Sequence, residues 1–309
     1  MRSTFLALFA KGLCMGAADV VPGVSGGTMA LILGIYGRFI DAIKSFDLIW
    51  LRAVLVLDVS TAMRRPRFEF VLPVLAGIVS AVLFFTRVVP IPELLTLHPA
   101  LVYGLFFGLI CGSLFTLTTD LGGVGARDIP ALLAGILLGL LVVTAVPTQT
   151  PEAWWFIVLA GSLAVSAMML PGISGSFVLL ILGKYAYVLD AVGHFRFHVL
   201  LPFIFGLLSG LVLFSRALAW VLHRYERGTM VAMTGILAAS LWVVWPFQNR
   251  GYELVRGKSR LVSSQPVLPD WNTATGHSIA LAVLGAVVVV TLHHVAHRVS
   301  SARGIQPKR

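Results

Sequence analysis

The chain has 309 residues, 58% of them hydrophobic and only 12% charged, with a mean hydropathy of +0.93. An average soluble domain carries roughly 25% charged residues, so the composition excludes a soluble protein and defines an integral membrane one. The formal net charge of +10 does not indicate nucleic-acid binding, because the basic residues cluster between apolar runs, as expected for loops at a membrane surface.

The first sixteen residues, "MRSTFLALFAKGLCMG", have the look of a signal peptide, but the apolar core is short and Lys11 follows it. The segment also recurs later as part of a repeat, so it is expected in the mature protein. Cys14 and Cys111 each lie inside an apolar run and imply no disulfide framework. The stretch "DVVPGVSGGTMALILGIY" (19–36) then sets Pro22, Gly23, Gly26 and Gly27 in the middle of an apolar segment. Pro and Gly disfavour a continuous helix there. A segment of mixed character, about 44–69, follows and reads as an interfacial amphipathic insertion. Apolar runs near 70–89, 98–117 and 129–147 are each long enough to cross a bilayer. A second interruption, "MLPGISGSFVLLILGKY" (169–185), precedes runs near 199–219, 229–247 and 277–296, and a basic tail closes the chain at 299–309.

The two interruptions are copies of each other. With Pro22 placed over Pro171, 11 of the 22 positions from Pro22 to Ile43 are identical, among them Ser25/Ser174, Gly26/Gly175, Tyr36/Tyr185 and Asp41/Asp190. Further on, "VLPVLAGIVSAVLFFTR" lies over "LLPFIFGLLSGLVLFSR", matching Pro73/Pro202, Gly77/Gly206 and Arg87/Arg216. The chain thus divides into a first repeat at 1–147, a second at 154–298 and the tail. Each repeat holds three full spans and a Pro/Gly-broken segment of about 16 residues before the break and 17 after it. The halves form either a re-entrant hairpin or two short tilted spans. Both return the chain to its starting side, so the number of net crossings per repeat is odd and the second repeat is inverted. The expected fold is an all-α polytopic membrane protein of two inverted repeats, each a broken helical hairpin plus three transmembrane helices.

Charge gives the orientation. With the N-terminus inside, Lys184, Arg196, Arg250, Arg256, Lys258 and Arg260 lie outside, and Arg87 and Arg216 near span ends. The remaining Lys and Arg residues all fall inside. This bias fits a multi-pass membrane protein with both termini in the cytoplasm.

Irregular backbone at membrane depth must be buried in protein or line a polar cavity. The two breaks are therefore expected to face each other across the pseudo-twofold axis, as at the central site of a transporter. Gly23, Ser25, Gly26, Gly27 and Thr28, with Gly172, Ser174, Gly175 and Ser176, offer backbone N–H groups, hydroxyls and helix N-termini suited to a phosphate or carboxylate. The competing reading is close helix packing through small residues. Arg87 and Arg216 either draw anionic headgroups inward or snorkel to the interface. Asp19 is an intramembrane carboxylate that carries a coupling proton or Na+, or holds the loop by a hydrogen bond. Asp41 and Asp190 read as interfacial, and Lys184 as a possible outer anion sensor. His293 and His297 have metal-ligand spacing without an acidic or Cys partner, so no metal, cofactor or catalytic residue is expected.

"GAADVVPGVSGGTMALILGIY" followed by "PGISGS" resembles the bacterial polyprenyl-phosphate transporter family over nearly the whole chain. The resemblance implies recycling of undecaprenyl phosphate, the lipid carrier of envelope synthesis, between leaflets of the cytoplasmic membrane. The loops are also similar to the "PG-x-S-R-S" loop of polyprenyl-diphosphate phosphatases. Gly26 and Gly175 stand where that Arg would be, and the first 68 residues contain no Glu. Diphosphate hydrolysis needs charge neutralisation and a general base, so binding without hydrolysis is the expectation, with a small-anion channel as a third class.

Overall fold

The computed structural model describes residues 2–20, 25–89, 94, 97–145, 150–255, 258–270 and 273–302. Helix α1 (Arg2–Asp19) leads to the first break and is followed by the short helices α2 (Gly26–Ile32) and α3 (Tyr36–Lys44). The insertion forms α4 (Leu48–Leu55) and α5 (Val59–Arg64). The long helices α6 (Phe68–Arg87), α7 (Pro99–Asp120) and α8 (Ile129–Val143) follow. The second half repeats the order with α9 (Trp154–Met169), α10 (Gly175–Ile181), α11 (Tyr185–Gly193), α12 (Phe197–Arg224), α13 (Glu226–Val244) and α14 (Thr273–Ala302).

Among the described residues, six helices are long and apolar enough to cross a membrane, and they fall on the six expected runs: α6, α7, α8 with the turn before it, α12, α13 and α14. The chain is therefore a largely helical polytopic membrane protein. Two features differ from the sequence reading. The half after each break is not one helix, because it is interrupted again at Gly34 (φ +66°) and Gly183 (φ +61°), the left-handed region where a Cβ is costly. As a result α10 and α11 meet at 109°. The segment between the runs near 229–247 and 277–296 also carries a β-hairpin: β1 (Gln248–Val255) pairs antiparallel with β2 (Lys258–Pro266), with a register shift at Gly251/Tyr252.

Four helix pairs make the framework: α1 with α6, α9 with α12, α7 with α14, and α8 with α13. Each is seamed by glycine. A Cβ at Gly77 of α6 would strike the Phe9 carbonyl, and one at Gly206 of α12 the Val158 carbonyl. Likewise Gly108 of α7 abuts the Ala282 carbonyl, and Gly135 of α8 the Ala232 carbonyl. Lipid tails are as apolar as leucine, so helices in a bilayer gain little from hydrophobic burial alone and need this backbone-to-backbone closeness. The largest buried cluster joins α1, α2, α3, α6, α7, α12 and α13, around Met15, Ile40, Tyr103, Leu218 and Leu237.

The insertion is tied down at one edge. Asp47 caps α4 by accepting from Trp50 N–H at 2.9 Å, and the Arg65 guanidinium grips the same carboxylate at 2.5 Å. Phe46 packs edge-on against Trp50 and Phe68. Its other side exposes Leu55, Val56, Leu57 and Val59. Elsewhere Arg227 fastens the start of α13 to the turn before α8, donating to both oxygens of Asp128 and to the carbonyls of Leu121 and Gly123.

Two outcomes follow. Gly108→Val drives a branched side chain into the α14 backbone and should destabilise the protein by about 1–3 kcal/mol or more, seen as a lower thermal midpoint in detergent. The hydrogen bonds from Arg65, and then from Trp50 N–H, hold the Asp47 carboxyl at about 2. A depressed carboxyl contributes its stabilisation fully above its unfolded value and loses it as pH falls towards 2. Arg65→Gln should therefore raise the Asp47 pKa towards the ordinary carboxylate range, measurable by NMR titration.

Candidate functional site

The site is built where the two interrupted segments meet. Pro22 and Gly23 lie outside the described residues. Asp19, at the end of α1, accepts from Gly26 N–H at 2.6 Å. Of the two roles its sequence position allowed, the loop-holding hydrogen bond is therefore present. Ser25 has the extended backbone of an N-cap (φ −130°, ψ 149°), and its Oγ accepts from Thr28 N–H at 3.3 Å. The Ser25 and Thr28 hydroxyls share a further bond of 3.1 Å. Thr28 Oγ1 then accepts from Gly172 N–H at 2.8 Å. Hydrogen bonds thus run from Ser25 through Thr28 to the second break, with Asp19 holding the adjoining Gly26.

Two more contacts lock the junction. Tyr36 Oη donates to the Met169 carbonyl at 2.7 Å, and Gly27 is so close to α9 that a Cβ there would lie 2.9 Å from the Met168 carbonyl. Gly172, at φ +84°, packs on α13 with its Cβ position 3.1 Å from the Ile236 carbonyl. The glycines at these breaks therefore serve close approach as well as chain reversal.

The far ends of the short helices are satisfied in parallel ways. Lys11 Nζ donates to the Leu33 carbonyl at 2.7 Å, where α2 ends. Thr150 Oγ1 donates to the Leu182 carbonyl at 2.5 Å, where α10 ends. Leu33 and Leu182 are repeat partners, so each orphan carbonyl finds a donor from the segment that entered before it. Lys184 is not an open anion sensor. Its Nζ donates to the Thr150 carbonyl at 2.7 Å, and it is buried between Phe156 and Tyr187.

The two breaks differ in access. Ser25 and Thr28 are 2% and 1% exposed, and Gly26 and Gly27 are buried with them. At the second break Ser174 makes no cap bond, and its Oγ shares a 2.8 Å bond with the exposed Ser176 hydroxyl. Gly175 packs against the Ala164 carbonyl. The accessible hydroxyls at this junction therefore come from Ser174 and Ser176.

Arg216 lies two turns before the end of α12 rather than at a helix end, and its Nη1 donates to the Val212 carbonyl at 3.2 Å. Arg87 ends α6, and its side chain lies outside the described residues. The His297 side chain is likewise outside them, while His293 Nε2 lies 3.1 Å from Asp120 Oδ1. Among the described residues no group of three His, Cys, Asp or Glu side chains could hold a metal. Sequence reasoning missed Lys11, Thr150 and Tyr36. The signal for Tyr36 was its identity with Tyr185 in the repeat.

Two interrupted segments joined inside a bundle of apolar helices are the arrangement that marks the central site of a membrane transporter. The VCA0040-like family model, described as undecaprenyl phosphate translocase-like, matches residues 15–262. A polyprenyl-phosphate transporter of Vibrio cholerae is 35% identical over 245 residues, covering 79% of each chain. One of Staphylococcus aureus is 31% identical over 255 residues, covering 76% of this chain and 84% of its own. The chain belongs to this family of transporters. No solved structure matches it.

Removing the Thr28 hydroxyl leaves the buried Gly172 N–H without its acceptor. Thr28→Val should cost about 1–3 kcal/mol of stability, and Tyr36→Phe, which strands the Met169 carbonyl, about as much. Chemical denaturation in detergent micelles measures both.

Proposed function

We propose that the protein translocates undecaprenyl phosphate across the bacterial cytoplasmic membrane, returning the lipid carrier for reuse in envelope synthesis. The observation that carries this reading is the junction of the two broken segments, sealed by Thr28 and Gly172, in a chain whose relatives are named for polyprenyl phosphate. The headgroup is held at that junction by backbone N–H groups and hydroxyls of Gly23, Ser25, Gly26, Gly27 and Thr28 and of Gly172, Ser174, Gly175 and Ser176. The isoprenoid tail stays in lipid. Arg87 and Arg216 attract the phosphate from opposite faces, because a guanidinium pairs with phosphate in bidentate fashion. Hydrolysis is no part of the cycle.

The proposed architecture is two inverted repeats with both termini inside. The helix pairing supports it: α1 with α6 corresponds to α9 with α12, and α7 with α14 corresponds to α13 with α8. Helix lengths support the re-entrant reading of the breaks. Seven residues of α2 or α10 rise only about 10 Å, far less than the roughly 30 Å hydrocarbon core. The contacts of Asp19 with Gly26 and of Lys11 with Leu33 set α2 antiparallel to α1, so the chain turns back. The insertion, with its exposed Leu55–Val59 edge, rests in the interface. Asp19 remains the candidate for coupling to H+ or Na+.

The test is purified protein in liposomes with labelled polyprenyl phosphate, following leaflet exchange and phosphate release together. Exchange without release is expected. Ser25→Leu and Ser176→Leu should each slow exchange by roughly tenfold to a hundredfold, the worth of one or two charge-assisted hydrogen bonds. Phosphate release at the rate of exchange would overturn the reading.

A further inference from the structure

The two repeats carry the same residues at the break but bury them differently. Tyr36 and Ile40 are 3% and 0% exposed, whereas their partners Tyr185 and Leu189 are only half-buried. Ser25 and Gly27 are buried, whereas Ser174 is half-buried and Ser176 exposed. The first segment, α2–α3, belongs to the main core, whereas residues of α10 and α11 sit in smaller separate clusters. Ser25/Ser174 and Tyr36/Tyr185 are the same residues in both repeats, so their unequal burial reflects their surroundings rather than their own side chains.

The contacts show what produces it. α3 crosses to the other half of the chain and packs on α12, with Gly37 against Leu222. Tyr36 reaches the Met169 carbonyl at the end of α9. Asp41 lies between Arg67 at the start of α6, 3.6 Å away, and His223 near the end of α12, 3.8 Å away. His223 Nδ1 donates to the Ala219 carbonyl, which turns its Nε2 edge towards Asp41 at ion-pair rather than hydrogen-bond distance. Asp41 therefore ties both halves together at this end. Its partner Asp190 pairs with neighbours in its own half, Arg196 at 3.0 Å and His194 Nδ1 at 3.1 Å. Extending the second repeat register back by a few residues places Arg67 over Arg196. The two aspartates thus keep equivalent arginine partners, and Asp41 adds a contact across the halves to His223.

We propose that this conformation is closed on the side of α3 and open on the side of α11, and that Tyr36, Asp41 and His223 form the closed gate of the translocation cycle. Exposed hydroxyls of Ser174 and Ser176 at the second break fit a water-filled entrance, since polar groups at membrane depth line cavities rather than lipid. The opposite state follows from exchanging the roles of the repeats. In it α3 leaves α12, α11 closes inward, and Tyr185 takes the Val20 carbonyl, the position that corresponds to Met169. With the proposed orientation the open side is the outer one, where spent carrier must be collected. This inference rests on the translocation reading for its purpose, but the gate itself can be tested without substrate.

The experiment uses the full chain with Cys14→Ala and Cys111→Ala, in nanodiscs that leave both faces accessible. Ser176→Cys should react with a water-soluble thiol reagent roughly tenfold or more faster than Ser25→Cys, the factor a gate bond of about 1.4 kcal/mol provides. Adding Asp41→Asn or His223→Ala should narrow that ratio by speeding Ser25→Cys. In liposomes, a short cleavable thiol cross-linker between Gly37→Cys and Leu222→Cys should stop transport of labelled polyprenyl phosphate until it is cleaved, and the cross-link yield reports that the variant is folded. Equal labelling of the two serine positions, or undiminished transport by the cross-linked protein, would overturn the gate. If labelling is unequal but the uncross-linked protein moves no polyprenyl phosphate, the gate stands and the functional reading fails.

Discussion

Every break in a membrane helix frees backbone N–H and C=O groups that lipid cannot satisfy, and most of this structure can be read as the answer to that constraint. Each unmet group in hydrocarbon costs several kcal/mol. At the first break the carboxylate of Asp19 and the hydroxyls of Ser25 and Thr28 take up the donors of Gly26, Thr28 and Gly172. At the far ends of the short helices, Lys11 and Thr150 take up the carbonyls of Leu33 and Leu182. Most polar residues of these segments are thus engaged by the backbone in this conformation, and the more accessible hydroxyls are those of Ser174 and Ser176.

The same constraint explains why glycine recurs where helices cross. Satisfying a broken segment inside the bundle brings backbones together, and side chains must be absent where they touch. Gly27 meets the Met168 carbonyl and Gly172 meets α13, in the same manner as Gly77, Gly108, Gly135 and Gly206 in the long helix pairs. Packing and binding are thus not competing explanations of the Pro-Gly segments. Close packing delivers the loops to each other, and polar side chains finish the junction.

Much of the fold was legible in the sequence because hydropathy and repetition are strong signals. The six long helices fall on the six apolar runs, and the breaks at Pro22 and Pro171 were evident from residue type alone. The meeting of the two breaks followed from the need to shelter them, although the Thr28–Gly172 bond itself did not. The second interruption at Gly34 and Gly183 was less visible, because a single glycine in an apolar run also reads as tolerated within a helix. The β-hairpin at 248–266 was missed because its residues lack a clean alternation of apolar and polar. Lys184 was read as an outer anion sensor and Lys11 only as a charge after the first apolar core, and their partners are main-chain carbonyls, a relation that no spacing rule exposes. The unequal burial of matched residues such as Tyr36 and Tyr185 was not legible in the sequence, since the repeat alignment gives them the same side chain and the fold gives them different surroundings.

The pairing of α7 with α14 and of α8 with α13 has a consequence for how the protein is made. α7 ends at Asp120 and α14 begins only at Thr273, so α7 leaves the ribosome long before its partner exists. At usual elongation speeds that interval is roughly ten to thirty seconds. During it the glycine face of α7 must rest against lipid or the insertion machinery, with nothing of matching shape beside it. The first half is therefore a waiting half, exposed to premature association and to quality-control proteases until the last helix arrives. Slow translation of the segment that encodes α14, harmless in a protein whose halves fold separately, would prolong that exposure here.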